Sequence, residues 1–161
     1  MKPTALDLPH NRSSAFFDKE NKFSQRFKES IDLWATALLN DDGINHPIQG
    51  NSDFVNSKII AKEDGIFVGR AIIERLCNHW TPNLQLKWNY FDGDMISKGD
   101  KLVEIYANKN QLLKFERPML NILGRLSGIA TTSNQWSKKS SIPIASTRKT
   151  TWGLLDKWAV H

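Results

Sequence analysis

The sequence contains a single cysteine, Cys77, among 161 residues. One thiol excludes a disulfide within the chain and a zinc site built from cysteines. Its neighbours Ile72, Ile73 and Leu76 are apolar, so we interpret Cys77 as a small core residue rather than a nucleophile. A chain without a disulfide framework is typical of a reducing compartment, and the expected location is cytoplasmic.

Long hydrophobic runs and a strong charge bias are also missing. No apolar stretch approaches the roughly twenty residues that span a bilayer, and the polar N-terminus has no signal-peptide core, so we expect no membrane partner. The chain has 22 basic and 17 acidic residues, a net charge of only +5. Because these cations are scattered rather than gathered into a stripe, we expect no nucleic acid partner.

Hydrophobic periodicity divides the chain into three parts. Residues 1–27 mix prolines, polar residues and charges, which indicates an N-terminal arm anchored by Phe16 and Phe17. After this arm, helical and strand-like patterns alternate from residue 28, and a further helical stripe begins near residue 112. The elements predicted up to residue 111 are a helix over 27–39, strands over 58–62 and 66–68, a helix from 70 to about 80, and strands over 84–90 and 101–107.

Turn signals separate these strands. Asp64-Gly65 predicts a two-residue hairpin between the first two strands, because glycine tolerates a positive φ. Asp92-Gly93-Asp94 and Lys98-Gly99-Asp100 predict two further turns. We interpret their acidic residues as turn formers and not as metal ligands.

A basic pentapeptide, Thr147-Arg148-Lys149-Thr150-Thr151, follows the short apolar run over residues 142–146. If that run is a strand, Thr147, Arg148 and Lys149 lie at its C-terminal end. A guanidinium offers a planar fork of donors to a carboxylate or phosphate, and a lysine adds a mobile point charge. The pattern predicts a site for an anion.

A second polar pattern lies on a predicted helix that begins near residue 112. Its apolar stripe predicts a core helix, while Arg117, Asn121 and Arg125 follow at i, i+4 and i+8 on another side. Pro118 lacks an amide donor, so it is expected either to start this helix or to kink a longer one.

These two motifs are shared with a known family. Residues 115–131 read F-E-R-P-M-L-N-I-L-G-R-L-S-G-I-A-T, and residues 147–150 read T-R-K-T. Together they resemble quinolinate phosphoribosyltransferase, which typically carries E-R-x-x-L-N-x-L-x-R-L-S-G-I-A-T followed by D-T-R-K-T-x-P-G. Residues 60–69 and 92–100 are similar to the first and second hairpins of that family.

The resemblance implies an α+β fold. Residues 28–111 would form a hammerhead-like N-terminal α/β domain. Residues 112–161 would supply linking helices and then the first strand and helix of an incomplete α/β (TIM-like) barrel. The chain is then expected to be an N-terminal portion of a longer enzyme and to be inactive alone.

The resemblance also implies a function in NAD biosynthesis. Family members join quinolinate to the ribose of phosphoribosyl pyrophosphate, giving nicotinate mononucleotide, pyrophosphate and CO2. The implied substrate-binding residues are Arg117, Thr147, Arg148 and Lys149. Arg117 would reach across a homodimer interface, Arg148 with Thr147 would hold a carboxylate, and Lys149 would favour phosphate. Mg²⁺ is expected with the diphosphate, through acidic residues that this chain lacks.

Three alternatives stay open on the sequence alone. A relative associated with molybdenum transport shares the T-R-K-T motif, which leaves the pyridine substrate open. A stand-alone hammerhead module that binds anions or acts as a carrier would not be an enzyme, although no modification lysine stands at the place that a carrier domain requires. A general anion- or nucleic-acid-binding domain predicts an affinity that falls steeply with salt.

Overall fold

The computed structural model describes residues 13–46, 48, 53–81, 83–147 and 149–161. It has mixed helices and strands, which confirms the predicted α+β class. The elements are α1 (Gln25–Asp41), β1 (Phe54–Ile60), β2 (Gly65–Ile66), α2 (Arg70–Trp80), β3 (Gln85–Trp88), β4 (Met95–Ile96), β5 (Lys101–Asn108), α3 (Lys109–Lys139) and α4 (Leu154–Val160).

The central strand of the main sheet is β5, with β1 on one side and β3 on the other, both antiparallel to it. A second, two-stranded sheet pairs β2 with β4. The hairpin predicted at Asp64-Gly65 is therefore wrong, because β1 and β2 belong to different sheets. The predicted first strand over 58–62 is also displaced, since pairing with β5 begins at Phe54 and ends at Ile60.

Gly65 is needed for close packing rather than for a positive φ. A Cβ at this position would stand 2.6 Å from Thr131 Oγ1 on α3. The same hydroxyl accepts a hydrogen bond from the Ile66 backbone N–H at 2.8 Å, and Ser127 Oγ accepts one from the Val68 N–H at 3.0 Å. Two hydroxyls of α3 thus satisfy backbone donors along the segment that contains β2.

The longest element, α3, runs for 31 residues without a break. Pro118 lies in its third turn and is buried, so the proline neither starts the helix nor divides it. The helix supplies a large share of the core, together with α1, α2 and α4. The fully buried large side chains include Phe27, Ile31, Leu39, Ile72, Ile73, Phe115, Ile122 and Leu126.

The N-terminal arm is shorter than predicted. Ser24 caps α1 by accepting a hydrogen bond from the Phe27 N–H, so the helix already begins at Gln25. Phe16 is only 2% exposed and packs edge-on against Phe27 and Trp158. The predicted anchoring by Phe16 and Phe17 is confirmed, while residues 1–12 lie outside the described residues.

The strand predicted over residues 142–146 is not formed. This segment has neither helical nor strand hydrogen bonding, and Ile142 and Ile144 are exposed. A strand needs a neighbouring strand to satisfy its backbone groups, and the described part of the chain places none beside this segment. The helix predicted to follow it is present as α4.

Gly69 and Gly128 offer a matched pair for testing the packing of α3. Gly69 has φ +133° and its Cβ would stand 3.1 Å from Leu123 Cδ2, whereas a Cβ on Gly128 meets nothing within 4 Å. We expect Gly69→Ala to lower the free energy of unfolding by roughly 1–3 kcal/mol. Gly128→Ala, inside the helix, should raise it by roughly 0.5–1 kcal/mol. Urea denaturation of both variants measures the two changes, and equal midpoints would contradict the described packing.

Candidate anion-binding site

Arg117 lies on an outward face of α3. Its side chain is 77% exposed, and its guanidinium stands 3.4 Å from Asp42 Oδ1 at the end of α1. Such an exposed pair contributes little to stability. Leu113 and Leu120 are exposed on the same helix, 60% and 44%. Arg117 is therefore available to a ligand or to another chain.

The predicted row of three polar donors on α3 is not maintained. Asn121 is exposed, but Arg125 turns towards α4 and binds Asp156 through two hydrogen bonds of 2.8 and 2.9 Å. Its guanidinium also lies 4.8 Å from the centre of the Trp152 ring. Arg125 is thus committed to contacts inside the chain and is not free to hold a substrate.

Asp156 is the partner that the sequence patterns missed. It is only 4% exposed, and besides the two donors of Arg125 it accepts a hydrogen bond from the Trp152 backbone N–H at 3.0 Å. Burial acts to raise the pKa of this carboxyl, but the hydrogen bonds and the charge of Arg125 outweigh it, so the pKa lies below its ordinary value. The sequence feature that could have pointed to Asp156 is its position as an acidic residue in the first turn of the helix that follows Gly153.

Thr147 and Lys149 lie together in the loop before α4. Both are exposed, and the Lys149 backbone N–H donates to Thr147 Oγ1 at 3.1 Å. Thr150 Oγ1 closes the end of the loop by donating to the Gly153 carbonyl at 3.0 Å. Arg148 lies outside the described residues. Among the described residues Arg117 pairs with Asp42, and no hydrogen bond or ion pair joins it to Thr147 or Lys149.

The acidic turn residues have structural partners. Asp92 Oδ1 accepts from the N–H groups of Gly69 and Arg70 at the start of α2, each at 2.8 Å. Asp94 and Asp100 accept backbone donors within their own turns, at Phe91 and Ser97. Among the described residues no group of three His, Cys, Asp or Glu side chains could hold a metal ion.

A broad groove of about 1000 Å³ lies beside the loop. It is lined by the C-terminal half of α3, by residues 140–146 and by the end of α4. Arg117, Thr147 and Lys149 are not among its lining residues. Trp136, Ile142 and Ile144 leave much apolar surface uncovered there.

Cys77 is buried in α2, as the sequence predicted. Burial raises the pKa of its thiol to about 12. The thiol is therefore protonated at neutral pH and unsuited to nucleophilic attack. Within the described ranges, no helix has the length and apolar character needed to cross a membrane.

Fold and site together define an α+β domain with exposed cationic side chains at Arg117 and Lys149. The profile of the family described as quinolinate phosphoribosyl transferase, N-terminal domain, matches residues 42–127, more than half of the chain. The chain therefore belongs to the quinolinate phosphoribosyl transferase family.

Individual relatives agree with this assignment. The chain is 39% identical over 109 residues to a carboxylating nicotinate-nucleotide pyrophosphorylase, chloroplastic, of Arabidopsis thaliana, covering 66% of this chain and 31% of that protein. It is 41% identical over 110 residues to a probable carboxylating nicotinate-nucleotide pyrophosphorylase of Bacillus subtilis, covering 65% of this chain and 38% of that protein.

Solved structures extend the likeness to the fold. NadC from Streptococcus pyogenes superposes with a TM-score of 0.70 at 28% identity, covering 82% of this chain and 51% of that one. The nicotinate-nucleotide pyrophosphorylase from Ehrlichia chaffeensis gives 0.68 at 31% identity, covering 83% and 51%. The chain thus spans about half the length of these structures and about a third of the curated relatives.

Proposed function

We propose that this chain supplies the N-terminal domain and the first anion ligands for phosphoribosyl transfer to quinolinate in NAD biosynthesis. In this reaction the ring nitrogen of quinolinate bonds to the ribose carbon as pyrophosphate leaves. The ring 2-carboxylate is then lost as CO2, and a proton takes its place to give nicotinate mononucleotide. The observation that carries the proposal is the exposed Arg117 within the matched family domain.

The chemistry of the cationic residues fits two polyanionic substrates. Arg117 and Arg148 each offer a bidentate fork suited to a carboxylate, with the Thr147 hydroxyl as a neutral donor beside Arg148. Lys149, a mobile point charge, suits a phosphate. These residues lower the free energy of gathering negative charge and fix the reacting atoms, so their contribution is positioning and electrostatic stabilisation.

The placement of Arg117 supports its action in a second copy of the chain. Arg125, the α3 residue that contacts Trp152 and Asp156 at the end of the loop, lies eight residues further along, about 12 Å of helix axis, and the Arg117 guanidinium pairs with Asp42 instead. A second copy of the chain packed on the face formed by Leu113, Arg117 and Leu120 would bring this arginine to the partner's loop. We therefore include a homodimer in the proposal.

The cofactor and the location belong to the same proposal. Mg²⁺ would accompany phosphoribosyl pyrophosphate, although the described residues offer it no group of three His, Cys, Asp or Glu side chains. A cytoplasmic location is supported by the reduced, buried Cys77. The plant relatives bear chloroplastic or mitochondrial names, so location is the part of the proposal that varies within the family.

Titration of the chain with quinolinate, followed by NMR, tests the proposed substrate. We expect shifts at the Lys149 amide and the Arg117 guanidinium, and weaker binding of nicotinate, which has one carboxylate. Arg117→Ala should weaken quinolinate binding about tenfold or more, the equivalent of one charge-assisted contact.

Lys138→Ala is the matched control, because it removes an exposed cation from the far end of the same helix. It should leave the affinity within about twofold, the scale of a screened surface charge. A wild-type chain that shows no shift at either group at millimolar quinolinate would refute the proposal, as would equal losses in the two variants.

A further inference from the structure

The loop that carries Thr147 and Lys149 ends at a buried carboxylate, Asp156, that also contacts α3. Asp156 projects from the first turn of α4 and accepts a hydrogen bond from the backbone N–H of Trp152 at 3.0 Å. On its other side it accepts the two donors of Arg125 from α3. The end of the loop and the long helix therefore meet at a single side chain.

Two further contacts fix the same stretch. The Trp152 ring contacts both the Arg125 guanidinium, 4.8 Å from the ring centre, and the Trp34 ring, 6.3 Å centre to centre. Gly153 adopts φ +55°, and its Cβ would stand 3.2 Å from Trp34 Nε1. The backbone between Thr150 and α4 is thus held by the contacts of Trp152 and Gly153, in addition to the hydrogen bond to Asp156.

We propose that Asp156, held by Arg125, is the positioning residue of the anion-binding loop. This inference rests on the proposed function of the loop and extends it. Asp156 carries a negative charge and is buried, so it does not bind the anion itself. Its carboxylate fixes the peptide N–H of Trp152, two residues after Thr150, so that Thr147 and Lys149 are held in one arrangement before a ligand arrives. Preorganisation of this kind increases affinity because less conformational freedom is lost on binding.

Asp156→Ala tests the assignment, with inorganic pyrophosphate as the probe. The variant removes all three hydrogen bonds at once, while Arg125 is one-third exposed and can turn to water. We expect pyrophosphate affinity to fall about tenfold, the scale of one charge-assisted interaction. Amide exchange at Trp152 should accelerate by a similar factor, since its acceptor is lost.

A control separates positioning from loss of stability. Ala159→Gly lies one turn further along α4, is buried, and leaves the carboxylate contacts intact. It should lower the unfolding midpoint in urea yet leave pyrophosphate affinity within about twofold. If Ala159→Gly loses as much affinity as Asp156→Ala at equal midpoints, Asp156 acts through stability alone and the inference fails.

A second variant and a second readout cover the other outcomes. If Asp156→Ala does not fold, Asp156→Asn replaces it. Its amide keeps one of the two acceptor oxygens, so the logarithm of the pyrophosphate affinity should fall by about half as much as in Asp156→Ala. A wild-type chain that binds no pyrophosphate counts against the proposed function of the loop. The exchange rate of the Trp152 amide then still decides the inference, and an unchanged rate in the Asp156 variants overturns it.

Discussion

Mixed dimers of two inactive variants should be active. In a full-length protein that carries this domain, Arg117→Ala and Arg148→Ala should each lose roughly ten- to more than a hundredfold in activity, since one charge-assisted carboxylate contact is worth about 1.5–3 kcal/mol. If Arg117 serves the partner's pocket and Arg148 its own, one pocket of each mixed dimer receives both intact arginines. Steady-state formation of nicotinate mononucleotide before and after subunit exchange measures the recovery.

Two controls sharpen this experiment. Arg117→Lys should rescue only part of the activity, because it restores the charge without the bidentate fork. Lys138→Ala should remain fully active alone. No gain on mixing, with subunit exchange demonstrated by labelled chains, would mean that Arg117 acts in its own chain or only through its contact with Asp42.

Trp158→Ala should be the most destabilising substitution considered for this chain. The indole packs within 5.3–5.7 Å of the rings of Phe16, Phe17, Phe23 and Phe27, and its Nε1 donates to Asp92 Oδ2 at 2.9 Å. Truncation of a large aromatic in such a cluster costs about 3–5 kcal/mol. The same Asp92 orders the start of α2, so the substitution also loosens that helix. Urea denaturation followed by circular dichroism measures the loss.

Trp158→Phe separates packing from the hydrogen bond. It keeps an aromatic ring but removes the indole donor, so a loss of about 1 kcal/mol is expected. Equal losses for Trp158→Phe and Trp158→Ala would show that the bond to Asp92 dominates. A loss under about 1 kcal/mol for Trp158→Ala would be inconsistent with the described cluster.

Elements with a strong local signal could be predicted from the sequence, and their partners could not. The apolar stripes of α1 and α2 and the turns at Gly93 and Gly99 depend on neighbouring residues, so a short window reveals them. Strand pairing depends on residues far apart. Asp64-Gly65 carries a hairpin signal, but the pairing of β2 with β4 and the closeness of α3 decide the outcome.

The distinction between local signals and long-range contacts also applies to the candidate anion-binding site. Arg117, Thr147 and Lys149 could be proposed from the sequence because their side chains match a family motif and their chemistry suits anions. Asp156 was not, since its importance comes from contacts with Arg125, 31 residues earlier in the chain. Pro118 illustrates the opposite error, because a local rule predicted a start or a kink where tertiary packing maintains a continuous helix.

The aromatic cluster around Trp158 joins the beginning and the end of the described chain. Phe16 and Trp158 lie about 140 residues apart, so their contact closes a loop that contains almost the whole described chain. The loss of chain entropy on loop closure grows with the length of the loop. Opening of the arm must uncover α4 and the start of α1 in the same event. Slow amide exchange in these separate segments should therefore share one opening free energy, so that they behave as a single cooperative unit.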